Sequence, residues 1–445
     1  MKKLVVLSCV FGLIMNADAQ LLKKIIDKTK QKTEDKVSEK VSNKVSDAAT
    51  KPIDEAGKSS KNKDNGTASS SGGNSGSKGS DQSDDAGTGK SSSGGGGLAT
   101  YSKYDFVPGE KILVMEDFAQ DAIGDFPDKW NTNGGGEVVT ADGVSGHWLM
   151  IKKRGRFIPE YINNLPENFT MQFDLICNEK FNYYSSAMQL LFLTGGNGKE
   201  SFEYSFIPGQ QRSGIKLGFH PTNGTGKGGS CYINTFEDGA EVIKNDVQTT
   251  QFNSLNEKNK VKISIWRQKQ RVRVYMNEEK VIDVPRAFAA GKTYNMVMFE
   301  LWADPHVDED RYLIGNINLA IGAPDTRNKL ITEGKFVTHG ILFDVNSDKI
   351  KPESFGVLKD ISNVLTENPD VKVKIIGHTD SDGKDADNLA LSKKRAEAVK
   401  TALINEFKID ASRMETDGKG ESQPVDKNDN SAGKANNRRV EFVKM

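Results

Sequence analysis

Residues 375–399 read IIGHTDSDGKDADNLALSKKRAEAV. Val371, Val373 and Ile375 alternate along a strand that ends at Gly377-His378-Thr379-Asp380, which leaves Asp380 in the loop beyond the sheet edge. Loops held by a rigid sheet are where binding groups tend to be presented. Gly383 permits the chain to turn back, and Asp385 is expected to cap the helix that follows. On that helix Asn388, Leu391 or Ser392, and Arg395 fall on one face, so Arg395 points toward the same end as Asp380. A carboxylate and a guanidinium offered from two different elements suit a ligand carrying one ammonium and one carboxylate. The plainer alternative is that the two residues pair with each other on the surface, which is worth ~0–1 kcal/mol.

Working outward, 341–343 reads as a short strand, 352–367 as a helix, 371–376 as a strand and 385–407 as a second helix. Residues 414–417 and 439–443 supply further strands. The β-α-β-α-β order predicts a two-layer α/β unit over 334–445, with helices on one face of a small mixed sheet.

Four blocks within it resemble the OmpA-like (OmpA/MotB C-terminal) peptidoglycan-binding family in order and spacing: ILFDVNSDKI (341–350), GHTDSDGKDADNLALSKKRA (377–396), GKGESQP (418–424) and NSAGKANNRRVEF (430–442). The resemblance spans the whole C-terminal unit. It implies a grip on the diaminopimelate of peptidoglycan stem peptides, with Asp380 and Arg395 at the clamping positions. By the same resemblance Asn346 is a ligand residue, and Thr379, Leu391 and Arg438 stand around the pocket. Structural duties compete for several neighbours. His378 is expected to support the loop and Asn388 and Ser392 to brace it, Phe343 and Leu391 read most simply as core, and one of Arg438 and Arg439 is expected to pack or pair structurally.

The chain before this unit is organised in segments. Lys2-Lys3, an apolar run from Leu4 to Met15 and Ala17-Asp18-Ala19 read as a signal peptide over 1–19. Cys9 lies too near the start for a full hydrophobic region to precede it. Residues 20–56 form a charged helical segment, with Val37, Val41 and Val45 as a thin stripe. Residues 57–97, rich in Ser and Gly, cannot bury enough apolar surface to offset chain entropy and read as a disordered tether. No later run reaches the ~20 apolar residues needed to span a bilayer, so an exported protein of the periplasm, or of the periplasmic side of the outer membrane, is expected, without a transmembrane segment.

From 98 to 325 short alternating runs are separated by Gly, Asn, Asp and Pro turns, the mark of an antiparallel, jelly-roll-like β-sandwich. Phe169, Met171, Phe173 and Leu175 form one such run. Val261, Ile263 and Ile265, then Val272, Val274 and Met276, then Val281, Ile282 and Val284 follow as meander hairpins. FTMQFDL and KVKISIWRQKQRVRVYMNEEKVIDVPRAF resemble concanavalin-like or laminin-G-like sandwiches, which implies a glycan or protein partner for this unit. Trp148, Tyr183, Tyr184 and Trp302 are its candidate sugar-stacking residues, with core packing the competing fate.

Lys plus Arg and Asp plus Glu number 61 each, mean hydropathy is −0.56, and generic nucleic-acid binding has little electrostatic support. The five His residues show no metal-site spacing. Asp304, Asp308, Glu309 and Asp310 read as an exposed acidic turn rather than a calcium loop. No nucleophile-base pair and no paired carboxylates across a cleft emerge, so no catalytic residue, metal or cofactor is assigned. Cys177 and Cys231 remain after export, and whether they pair stays open. Two functions follow: a non-enzymatic wall anchor, or a glycan-binding or glycan-cleaving sandwich moored by the C-terminal unit.

Overall fold

The computed structural model describes residues 104–195, 202, 212–256, 258–322 and 325–445. The signal peptide, charged helix and tether expected over 1–97 lie outside the described residues. In chain order the first strands are β1 (Lys111–Glu116), β2 (Trp130–Thr132), β3 (Gly136–Ala141), β4 (Val144–Ile151), β5 (Gly155–Pro159), β6 (Asn168–Cys177), β7 (Met188–Leu193) and β8 (Gly214–His220). They continue as β9 (Gly229–Glu237), β10 (Ala240–Thr249), β11 (Lys260–Gln268), β12 (Arg271–Met276), β13 (Glu279–Val284), β14 (Met296–Leu301) and β15 (Tyr312–Ile321).

These strands build two antiparallel sheets, ordered β13-β12-β11-β6-β15-β4-β3 with β1 added on β15, and β10-β9-β8-β7-β14-β5-β2. The period-2 patterns explain why the sheets stack. Phe169, Met171, Phe173 and Leu175 are all fully buried, and the Phe173 ring stands edge-on to Phe299 of the opposite sheet, centroids 5.3 Å apart. Burying each such side chain contributes ~1.5–3 kcal/mol over leaving it in water. β11, β12 and β13 form the expected meander. The tight turn between β12 and β13 has Asn277 at φ 51, a left-handed conformation that Asn tolerates. Cys177 on β6 and Cys231 on β9 lie in different sheets as free, buried thiols, and burial pushes both well above the usual thiol range. Asp310 is buried and accepts hydrogen bonds from Asn178 Nδ2, the Asn182 amide and Ser185, so it anchors a loop instead of facing solvent with its acidic neighbours.

The outer face of the first sheet is also covered. Thr170, Ser264, Trp266 and Tyr275 are buried there under the segment 104–110, whose Phe106 ring lies 6.1 Å from Trp266 and 5.4 Å from Tyr275. The Gly109 amide donates to Thr170 Oγ1 at 2.9 Å.

The C-terminal layer follows as β16 (Lys335–Thr338), α1 (Phe355–Glu367), β17 (Val373–His378), α2 (Asp385–Phe407), β18 (Met414–Gly420), α3 (Ser431–Asn437) and β19 (Val440–Lys444). Its sheet runs β16-β19-β17-β18, and only the β17–β18 pair is parallel. Leu358, Ile361 and Leu365 of α1 and Ala396, Val399 and Leu403 of α2 join Val373, Ile375 and Phe442 in one core.

The strand expected at 341–343 does not form. The free edge of β19 is taken by Lys335–Thr338, and the chain then bends at Gly340, where a Cβ would meet Val357 Cγ2 at 2.6 Å and Pro108 Cδ at 2.7 Å. Beyond that bend the Leu342 amide is spent on Ser354 Oγ at 2.8 Å, and Phe343 keeps a single bridge to Ile350.

Candidate functional site: an arginine-lined pocket at the end of β17

β17 buries Val373, Ile375 and Gly377 against α2, and its end is pinned on both sides. The His378 amide donates to Arg439 O and the Thr379 amide to Gly420 O, each at 3.0 Å. This pinning delivers Asp380 at the start of a loop that turns at Gly383, φ +104, a conformation open to glycine. Asn388 holds that loop from the helix below. Its Nδ2 donates to Asp380 O at 3.3 Å, Asp382 O at 3.1 Å and Glu421 Oε2 at 2.5 Å. One turn on, Ser392 Oγ accepts from the Gly420 amide at 2.9 Å and donates to Leu389 O. The helix can sit this close because the facing strands carry glycine: a Cβ on Gly377 would lie 2.3 Å from Ser392 O. Asn388 and Ser392 are therefore braces.

Asp385 does not cap α2. Lys384 occupies the cap position without a side-chain bond, and Asp385 and Asp387 sit in the first turn, where the helix dipole favours negative charge.

The two gripping candidates do not pair with each other. Asp380, 8% exposed, receives Arg438 Nη1 on its Oδ2 at 2.5 Å. Arg395 instead donates from Nε to Ser347 O at 3.0 Å and lies with its guanidinium 4.9 Å from the centroid of the Phe343 ring. Among the described residues no carboxylate forms an ion pair with Arg395. Burial disfavours its charged form, Asp380 favours it, and Arg438 adds repulsion. A guanidinium stays protonated through shifts of this kind, so Arg395 is a stacked, half-buried cation with donors to spare.

Arg395, Arg438, Phe343 and His378 line a pocket of about 170 Å³. Asp380 and Thr379 are not among the lining residues, and Thr379 is buried with its hydroxyl lacking a partner. Leu391 is half-buried on α2. Asn346 is exposed, at φ 53 in the loop whose Ser347 carbonyl Arg395 holds, so the structure places it as a turn residue. His339 also lines the pocket. Burial, with the Arg439 charge behind it, pushes its pKa down to about 4, which leaves it neutral near pH 7.

Sequence reasoning missed three features. The Arg438–Asp380 pair bridges 58 positions, and neither residue type nor spacing announces it. Phe343 packs against the core as expected, but it also supports Arg395, a second duty that core packing does not announce. The pocket also includes Ile112, Met115 and Asn318 from the sandwich, for which the sequence carries no signal. Of the aromatics, Trp148 is fully buried, whereas Tyr183, Tyr184 and Trp302 are exposed by half or more.

Residues 342–438 are an OmpA family domain. Over 101 residues the chain is 40% identical to outer membrane porin F of Pseudomonas aeruginosa, covering 23% of this chain and 29% of the porin. Over 105 residues it is 42% identical to the probable lipoprotein YiaD of Escherichia coli, covering 24% of this chain and 48% of YiaD. Among solved structures, the peptidoglycan-associated lipoprotein of Burkholderia pseudomallei aligns at 29% identity with a TM-score of 0.24, covering 27% of this chain and 98% of that one. The chain thus spans less than half the length of the curated relatives named.

Proposed function

We propose, from an OmpA family domain at residues 342–438, that this protein is a non-enzymatic cell-envelope anchor whose C-terminal layer holds peptidoglycan by the zwitterionic end of diaminopimelate. The observation that carries the reading is the unpaired, Phe343-backed guanidinium of Arg395 beside a carboxylate, Asp380, that already holds a cation. Arg395 offers a planar fork to the ligand carboxylate. Asp380 offers its oxygens to the ligand ammonium, which takes the place Arg438 Nη1 fills in the free protein. Arg438 keeps 42% of its side chain exposed, so it can leave Asp380 without unpacking anything. Thr379 and Leu391 contribute to the surrounding wall, and Asn346 acts through the loop that carries Ser347. The periplasm, or the periplasmic face of the outer membrane, is the setting this ligand requires.

The test is co-sedimentation of the protein with purified diaminopimelate-type sacculi. The wild type is expected in the pellet, and Asp380→Ala and Arg395→Ala in the supernatant with unchanged circular dichroism. Full sedimentation of both variants would overturn the assignment.

A second reading, of the sandwich as a saccharide contact, is favoured by one observation. Trp302 and Tyr184 are 54% and 77% exposed, and the Arg154 guanidinium lies 5.9 Å from the Trp302 ring. Exposed indole and phenol faces can stack on sugar rings. A glycan array probed with the full chain and with Trp302→Ala tests it: hits lost in the variant support the contact, and hits that persist remove Trp302 from it.

A further inference from the structure

We propose that the edge of the sandwich is a wall of this pocket, and that Met115, with Ile112 and Asn318, determines which carboxylate-bearing aliphatic group the pocket accepts. The proposal rests on the ligand reading above and adds to it a selecting surface outside the OmpA family domain.

The geometry begins with a bulge. β1 pairs with β15 in register Ile112↔Ala320 and Met115↔Asn318, with a slip between Ile112 and Val114. In a regular strand residues three apart point to opposite faces, and one extra residue restores them to the same face. Ile112 and Met115 therefore share a face with Asn318, the residue directly across from Met115. Leu113, the residue within the slip, is exposed.

That face is fixed on the C-terminal layer by one side chain. The Ile112 amide donates to Asn436 Oδ1 at 3.0 Å, and Asn436 Nδ2 donates to Ile112 O at 2.9 Å. Asn436 thus serves the outer edge of β1 as a neighbouring strand would. Ile112 packs there on Ala435 of α3. Arg438 follows two residues after Asn436, so the cationic wall and the sandwich wall are held in one frame.

The chemistry of the opposed walls differs. The C-terminal layer contributes Arg395, which lies over Phe343, and Arg438, and the sandwich contributes Ile112 and Met115 with the single amide of Asn318. A carboxylate on Arg395 leaves its aliphatic stem facing Met115 across a space of about 170 Å³. His378 also lines the pocket, and its buried Nδ1 has no hydrogen-bond partner.

The experiment is calorimetric titration of the full chain with a stem tripeptide ending in meso-diaminopimelate. Met115→Glu places a carboxylate opposite the ligand's own and should weaken binding about tenfold or more. Asn318→Ala should weaken it about threefold. Leu113→Glu, on the same strand but outside the pocket, should bind as wild type. Melting temperatures of all three are recorded alongside. Wild-type affinity in both Met115→Glu and Asn318→Ala, with Arg395→Ala still impaired, would overturn the sandwich wall and leave the anchor reading standing. Absence of binding by the wild type would overturn both.

Discussion

Arg438 and Asp380 meet at 2.5 Å across 58 residues of chain, so the carboxylate assigned to the ligand ammonium is already occupied by the protein's own cation. Arg395, the other half of the grip, has its guanidinium on Phe343 and the Ser347 carbonyl. Of the two proposed ligand positions, one is therefore pre-paired and the other is open.

The two arginines are expected to differ in consequence. Arg395→Ala removes a charge-assisted contact worth ~1.5–3 kcal/mol, about tenfold to over a hundredfold in affinity. Arg438→Ala removes a half-exposed pair worth ~1 kcal/mol or less, and it also removes the competitor for Asp380. Its effect should stay within about fivefold in either direction. Titration of both variants with the stem tripeptide checks the order. Equal losses would mean that Arg438 stays on the ligand rather than yielding to it.

The close seat of α2 on β17 is expected to be intolerant of a single methyl group. Gly377→Ala puts a Cβ 2.3 Å from the Ser392 carbonyl, and relieving such a contact by backbone movement costs ~1–3 kcal/mol. Urea unfolding should show a lowered midpoint with an unchanged slope. An unshifted midpoint would show that the helix can move outward freely.

Asn436→Ala strands the Ile112 amide and carbonyl together. Losing two bonds at a buried edge costs ~1–3 kcal/mol, and here the cost falls on the joint between sandwich and C-terminal layer. Limited proteolysis should cut the variant first between 322 and 335. A digestion pattern identical to wild type would argue that the joint holds without these two bonds.

Glu441 on β19 makes acid stability a readout of its contact with the buried Arg439. Burial by itself would raise its carboxyl, but His378, Lys335 and Arg439 together hold it well below its ordinary value of 4.5. A group whose folded pKa is depressed stabilises above its unfolded value and loses that contribution as pH falls toward the folded one. Wild-type stability should therefore decline as the pH drops below about 4.5. Glu441→Gln should flatten that decline and, near neutrality, cost about 3 kcal/mol by leaving the buried Arg439 without its charge partner. Chemical denaturation at a series of pH values measures both effects, and parallel pH profiles for the two proteins would contradict the account.

Local periodicity explains what could be read before the fold was seen. α2 begins and ends where its spacing indicated, Asp385 to Phe407, because one helix face meets a sheet along its whole length. The meander of β11 to β13 followed from period-2 runs and an Asn turn. What escaped was decided between distant segments. The strand at 341–343 lost its place to Lys335–Thr338 in competition for one edge of β19. Asn436 and Ile112 lie 324 positions apart, and an amide bridging a backbone leaves no periodic trace. Trp148 and Trp302 look alike as letters, yet one is core and the other surface, which only sheet register could decide.

In the proposed function Asp380, at the end of β17, and Arg395 together grip a zwitterion. The most direct measurement is calorimetric titration of the full chain with two stem tripeptides, identical except that one ends in meso-diaminopimelate and the other in lysine, which keeps the ammonium and lacks the carboxylate. Saturable binding of the first is expected, with loss of that binding in Arg395→Ala and at least about tenfold weaker binding of the second. Equal affinity for the two peptides, or an affinity for the first unchanged by Arg395→Ala, would contradict it.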